Sequence, residues 1–306
     1  MSAPSVLYDA PGPKARARNI GYTVVFGVVA VALAWWVLAT LSEKGQLAPE
    51  LWSPFVSDGR VWTQFLLPGL GNTLFAAFLS VVLALPIGFV FGIARLSDHK
   101  WIRVPAGAVV EFFRAIPVLL LMVFASELFS LYTDLDRDSR PLFAVVTGLV
   151  LYNGSVMAEI VRAGILSLPS GQGEAASALG LRKGQTMRIV LLPQAVTAML
   201  PAIVSQLVVI LKDTALGGAI LTFSELLRTI RPIAANYHNN VIATLVVVGL
   251  IYVVMNTLLT TFATWLEKRL SRRGRPTVGG GPIEEQAPGM EFTGMRTGEN
   301  TGGGTL

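Results

Sequence analysis

The chain has 306 residues, of which 53% are hydrophobic and only 14% charged, and its mean hydropathy is +0.60. A soluble domain carries about 25% charged residues. So low a charge density cannot cover a water-facing surface, and several apolar runs reach spanning length, so a soluble globular protein is excluded and a multi-pass membrane protein is expected. There is no cysteine, which rules out a disulfide framework, thiolate metal sites and a cysteine nucleophile. With only His99 and His238, a histidine metal site is not expected either. The net charge of +5 does not point to nucleic acid, because most basic residues flank apolar segments.

Residues 1–19 form a polar segment with Lys14, Arg16 and Arg18. The uncharged run 20–41 is longer than the 7–15 residue apolar core of a signal peptide and carries Trp35 and Trp36, which suit an interfacial belt. It is expected to be a retained helix, followed by an external loop to residue 65. Five further spans are expected at about 69–95, 105–132, 141–165, 192–223 and 241–266, each longer than the ~20 residues that cross hydrocarbon. The segments 105–132 and 192–223 contain charges and are expected to bend or lie partly outside the bilayer. Pro86, Pro117, Pro193 and Pro201 either kink helices, start them, or are ordinary membrane-helix prolines.

Six crossings put both ends of the chain on one side. The segments 1–19, 95–103, 162–190 and 267–275 hold fifteen Lys/Arg, against six in 42–65, 133–140 and 224–240. The positive-inside rule then places both termini in the cytoplasm of a cell whose plasma membrane the chain spans. Residues 276–306 are rich in Gly, Thr, Pro and Glu, so 271–306 is expected to be a disordered cytoplasmic tail.

The most informative stretch is 166–193, a structured loop between two long spans. Ser170 stands where a helix cap is needed, Glu174 lies in the first turn where a negative charge suits the helix dipole, and Ala175, Ala176 and Ala178 favour helix. Gly180 occupies the position of a C-terminal cap, and a second helix is expected from Lys183. The small side chains suit close docking into another protein's groove; an ordinary structured loop is the alternative.

At this point the sequence resembles a known family. Glu174-Ala175-Ala176, Gly180, Val190, Leu192 and Pro193 match the spacing Glu-Ala-Ala, three residues, Gly, nine residues, Ile, one residue, Leu-Pro of permeases of bacterial binding-protein-dependent ABC importers, with Val replacing Ile. Other stretches resemble the polar amino-acid branch: Gly71-Asn72-Thr73-Leu74, Glu111 to Pro117, Tyr152-Asn153-Gly154-Ser155, Ala158 to Ile165, Lys212-Asp213-Thr214-Ala215-Leu216 and Leu266 to Arg269. The combination is most similar to the second permease of actinobacterial glutamate uptake systems and covers about residues 66–270. Where family members often carry Gln, this chain has Leu121.

The resemblance implies an all-α permease with about six transmembrane helices, in which Glu174, Ala175, Ala176, Leu179 and Gly180 belong to a coupling helix seated on a separate ATPase. Pro117, Pro193 and Asp213 fall on its structural motifs, and Arg114, Asn153 and Lys212 are the residues assigned to a substrate pathway. Two readings stand for the ionisable residues in spans. Arg114 and Lys212 line a route for a charged amino acid, or Glu111–Arg114 and Glu159–Arg162 are i,i+3 helix-surface pairs; Lys212 and Asp213 have a structural alternative too. Asn153 and Gln206 also suit bonds between helices.

No Gly-x-x-x-x-Gly-Lys-[Ser/Thr] occurs, so the chain cannot cradle ATP phosphates by that mechanism. No cofactor is expected in this chain. The resemblance places ATP and Mg on two partner ATPase subunits, beside a second permease (a similar chain or a second copy) and an extracytoplasmic amino-acid-binding protein. A self-contained secondary transporter would show internal symmetry and ion-binding residues at broken helices, and neither is visible. A membrane enzyme would need a motif such as Gly-x-Ser-x-Gly or His-Glu-x-x-His, and neither occurs. The reading is an importer for polar amino acids, glutamate above glutamine, aspartate or a basic amino acid.

Overall fold

The computed structural model describes residues 12–273, all of whose regular elements are helical. The first eleven residues and the expected tail from residue 274 onward lie outside the described residues; helix continues through 271–273. Five helices are long and apolar enough to cross a membrane: Pro13–Glu43, Val61–Ala94, Arg140–Leu166, Lys183–Ile220 and Val241–Leu266. A bent pair, Lys100–Ala115 and Val118–Tyr132, passes the same test jointly, its halves meeting at 98°.

We name the elements in chain order. They are α1 (Pro13–Glu43), the short α2 (Pro49–Trp52) and α3 (Pro54–Ser57), then α4 (Leu67–Ala94), α5 (Lys100–Ala115), α6 (Val118–Tyr132) and α7 (Arg140–Leu166). After these come α8 (Gly171–Ala178), α9 (Lys183–Gln185), α10 (Leu192–Ile220), α11 (Ile230–Asn236) and α12 (Val241–Arg273). Instead of the two open loops expected at 42–65 and 224–240, α2, α3 and α11 form helical turns.

Three prolines explain the irregularities. Ile116 precedes Pro117 and is extended (φ −87°, ψ 129°), because the proline ring disfavours helical backbone in the residue before it. That single residue separates α5 from α6. Pro68 and Pro193 each sit second in a long helix, directly after a π-helical turn at Val61–Leu66 and Thr186–Leu191. A proline has no N–H to give and crowds the carbonyl four residues back, so the preceding turn widens. Pro86 and Pro201, by contrast, lie inside unbroken helices.

α7 is the hub. It packs against α4, α5, α6 and α10, and it can do so because small residues let neighbouring backbones approach. Gly92 of α4 shows this: a Cβ there would lie 2.7 Å from Val161 Cβ and 2.8 Å from the Ala158 carbonyl. The main core joins Ala76, Met122, Val145, Leu149, Met157 and Ile210. A second cluster, with Phe55, Val61, Leu66, Leu226, Ile233 and Val248, closes the end of the bundle opposite loop 166–193. α1 has no buried residue and no extended packing with another helix.

Candidate functional site

The loop after α7 forms the structured projection that its sequence predicts. α8 is closed at its C-terminal end by Gly180, whose φ of +77° is easily reached only by glycine, and the Leu181 N–H donates back to the Ala176 carbonyl at 3.1 Å. Ala176 is buried and fastens α8, while Glu174, Ala175 and Ala178 are exposed and Leu179 is 82% exposed. The free face of α8 therefore presents an exposed leucine beside two exposed alanines. Ser170 does stand at the helix start, but its hydroxyl makes no capping bond and its backbone is already helical. The helix restarts at Lys183, where the Gln185 side chain accepts the Arg182 N–H at 2.9 Å, and runs through Pro193 into α10.

Beside this loop lies a network of charges. Arg95, one residue past α4, donates to Glu159 of α7 at 2.6 Å and to Glu111 of α5 at 3.2 Å. Arg162 donates to the other Glu159 oxygen at 2.9 Å, and Arg114 of α5 lies 3.5 Å from Glu159. The Glu159–Arg162 pair is thus the expected i,i+3 pair. Glu111 and Arg114 instead reach different helices. Asp98, in the turn after α4, pairs with Lys183 at the start of α9, and the lysine ammonium holds its carboxyl below the usual range.

In the opposite half of the bundle, Lys212, Arg228 and Arg231 make no salt bridge among the described residues. Lys212 lines a cavity of about 480 Å³ with Tyr252, Asn256 and Thr257. Asn256 donates to the Tyr252 carbonyl, but its own Oδ1 is buried without a partner among the described residues. A second cavity, of about 380 Å³, is lined by Gln64, Asn72, Arg228 and Arg231. Glu225 borders this cavity, and Tyr252, bordering the first, donates to it at 2.7 Å. Asp213 is half-buried in α10.

Asn153 and Gln206 join α7 to α10: Gln206 Nε2 donates to Asn153 Oδ1 at 2.6 Å, and Asn153 is fully buried. The residues assigned to a substrate pathway are therefore not brought together. Arg114 belongs to the charge network beside the loop, Asn153 to a helix contact, and Lys212 to an open cavity further along α10. Leu121 is buried.

Sequence reasoning missed two features. Glu225 is fully buried and accepts the N–H groups of Leu227 and Arg228 at 2.7 and 2.8 Å besides the Tyr252 hydroxyl. Burial pushes its carboxyl above the ordinary value. An acid two residues before a helical Leu-Arg-Thr turn was the available signal, hidden by treating 224–240 as loop. Asp58 accepts from Arg60 and from the Tyr237 hydroxyl, which holds α11 to the segment before α4. The Arg60 bonds keep that carboxyl well below the carboxylate range.

Comparison with known proteins fits this geometry. Residues 84–272 match the family described as binding-protein-dependent transport system inner membrane component. The chain is 45% identical over 260 residues to the glutamate transport system permease protein GluD of Corynebacterium glutamicum, covering 85% of this chain and 93% of that protein. It is 33% identical over 209 residues to the arginine transport system permease protein ArtQ of Bacillus subtilis, covering 67% and 92% respectively. Its structure is similar to that of an amino acid ABC transporter crystallised with histidines, with a TM-score of 0.60 and 28% identity over 68% of this chain and 95% of the other.

Proposed function

We propose that this chain, which belongs to the inner membrane components of binding-protein-dependent transport systems, is the permease through which such a system imports glutamate. As a permease of an amino-acid ABC importer it is a multi-pass membrane protein and a transport subunit, not an enzyme, and ATP hydrolysis belongs to a separate subunit. A substrate-binding protein is the other partner that such a system implies.

The observation that carries the mechanism is the capped, exposed α8 with Leu179 at its tip. Anchored through Ala176, through Gln172, which accepts from Gln194 of α10 at 3.4 Å, and through its flanking segments, it offers Glu174, Ala175, Leu179 and Gly180 to a groove on the ATPase. One permease presents one such helix and an ATPase dimer has two grooves, so two permease chains, identical or similar, serve two ATPases. Closure of the ATPase dimer around ATP and Mg displaces α8, and the helices continuous with loop 166–193, α7 and α10, tilt between inward- and outward-open forms. Both termini and loop 166–193 lie in the cytoplasm, and the cavities bordered by Glu225 and Tyr252 belong to the outer half. The 45% identity to a glutamate permease supports the substrate. So does charge: Lys212, Arg228 and Arg231 line open cavities, make no salt bridge among the described residues, and suit carboxylates rather than a cationic amino acid.

Two measurements test this. A bulky residue at Gly180 should abolish co-purification of the ATPase together with uptake; retained association would refute the docking role. In vesicles holding the assembled importer, Lys212→Glu should lower glutamate uptake on the order of tenfold through like-charge repulsion, while Lys212→Arg retains it. Equal uptake by both variants would remove Lys212 from the route.

A further inference from the structure

We propose that Glu159 is a positioning residue for transport. By binding Arg95, Arg114 and Arg162 together, it makes α4, α5 and α7 one body at the end where α7 enters loop 166–193, so that displacement of the loop reaches three helices at once. The proposal rests on the reading of that loop as the ATPase contact.

Glu159 has two carboxylate oxygens and both are taken. Oε2 receives Arg95 at 2.6 Å and faces Arg114 at 3.5 Å, and Oε1 receives Arg162 at 2.9 Å. The three guanidinium groups come from the end of α4, from α5 and from α7 itself. Arg95 is the innermost, with 11% of its side chain exposed, and it also holds Glu111 of α5. Charge-assisted bonds in a partly shielded site are stiffer and stronger than surface pairs.

The cluster sits where the backbones are already in contact. Ala158 and Val161, flanking Glu159, are the residues against which Gly92 presses. α4 and α7 are thus fixed at this level by packing and by charge together. α5 depends on charge more than its neighbours do: two residues past Arg114 the chain breaks at Ile116, and α6 departs at 98°. Glu111 and Arg114 hold α5 to the α4–α7 pair just before that break.

The same turn also meets the loop directly. Asp98 pairs with Lys183, the first residue of α9. Both side chains are more than half exposed, so this contact is weak compared with the Arg95 cluster. The turn after α4 is held to α7 through Arg95 and touches the loop through Asp98. Three arginines share two acids here, and Glu159 is the acid that touches all three. Neutralising it leaves the guanidinium groups facing one another with Glu111 alone, which drives α5 away from α7.

The test uses the whole importer, with ATPase and binding protein, in lipid vesicles, and reads glutamate delivered per ATP hydrolysed. For Glu159→Gln we expect assembly and ATP hydrolysis to persist while that ratio falls on the order of tenfold, the size of ordinary coupling between sites. Glu159→Asp should recover part of the ratio, because a shorter carboxylate still collects the arginines. Arg114→Gln removes the most exposed of the three partners and should lower the ratio by a smaller factor; it also serves as the test should Glu159→Gln fail to assemble. An unchanged ratio in the assembled variant overturns the proposal. So does a parallel fall of hydrolysis and uptake, which a purely structural role would give. The docking reading fails separately: a bulky residue at Gly180 would then leave ATPase association intact, whatever Glu159 does.

Discussion

Glu225 and Asp58 are acids at the same end of the bundle whose surroundings push them in opposite directions. Burial raises Glu225 above its ordinary value of 4.5. A raised carboxyl pKa means the fold prefers the protonated form, so this group's contribution is complete below the ordinary pKa and is lost as pH rises through the raised value. Hydrogen bonds from Arg60 depress Asp58, so its contribution is present above the ordinary pKa and is lost as pH falls through the depressed one. Glu225→Gln, which lacks one acceptor oxygen for three donors, should lower the thermal midpoint at acid pH yet remove the decline of the wild type toward neutral pH. A variant that keeps the wild-type slope would exclude Glu225 as its source. Gly92 makes a steric prediction. Gly92→Leu must displace Val161 and the Ala158 carbonyl, and overpacking of this kind costs about 1–3 kcal/mol. Thermal unfolding in detergent should show the loss, and a Gly71→Leu control, with nothing within 4 Å of its Cβ, should not.

Each irregular element has a local cause. The π turns before Pro68 and Pro193 and the break before Pro117 follow from a missing N–H and a crowded carbonyl, whereas Pro86 and Pro201 sit in intact helices of the bundle. α8 follows from alanine propensity and the positive φ of Gly180. The proposed docking needs an exposed tip, so Leu179→Ser should leave the helix and thermal midpoint of the permease unchanged while weakening ATPase association. An equal affinity for the ATPase would exclude Leu179 from the contact. Gly180→Val acts differently: a β-branched residue in left-handed backbone costs about 1–2 kcal/mol locally and should unwind the end of α8.

At the scale of the molecule, the chain has no cysteine, so single introduced cysteines map its orientation without background. Cysteine at Ser177 should react with a membrane-impermeant maleimide only after the cell is opened, and cysteine at Asn236 in intact cells. The reverse pattern would overturn the topology expected from the fifteen-to-six bias of basic residues. Both positions are exposed, so burial does not confound the labelling. α1 buries no residue and packs extensively on no other helix among the described residues, so deletion of residues 1–43 should leave the thermal midpoint of the remaining bundle unchanged; a large fall would reveal packing that α1 acquires in the bilayer or with a partner.

Much of this was legible in the residues alone. Apolar run length announced the spans, and the helix at the start of loop 166–193 was readable because its determinants, alanine propensity and a glycine cap, act over a few neighbouring residues. Glu159–Arg162 was legible for the same reason. Partners distant in the chain were not. That Arg95 meets Glu159 across 64 positions, Tyr237 meets Asp58 across 179, and Gln206 meets Asn153 across 53 was decided by how α4, α7, α10 and α11 cross. Local sequence dictates where a helix starts, stops and which faces are apolar. Which charge finds which is decided only when the helices pack, because the bonding geometry belongs to two elements and is encoded in neither.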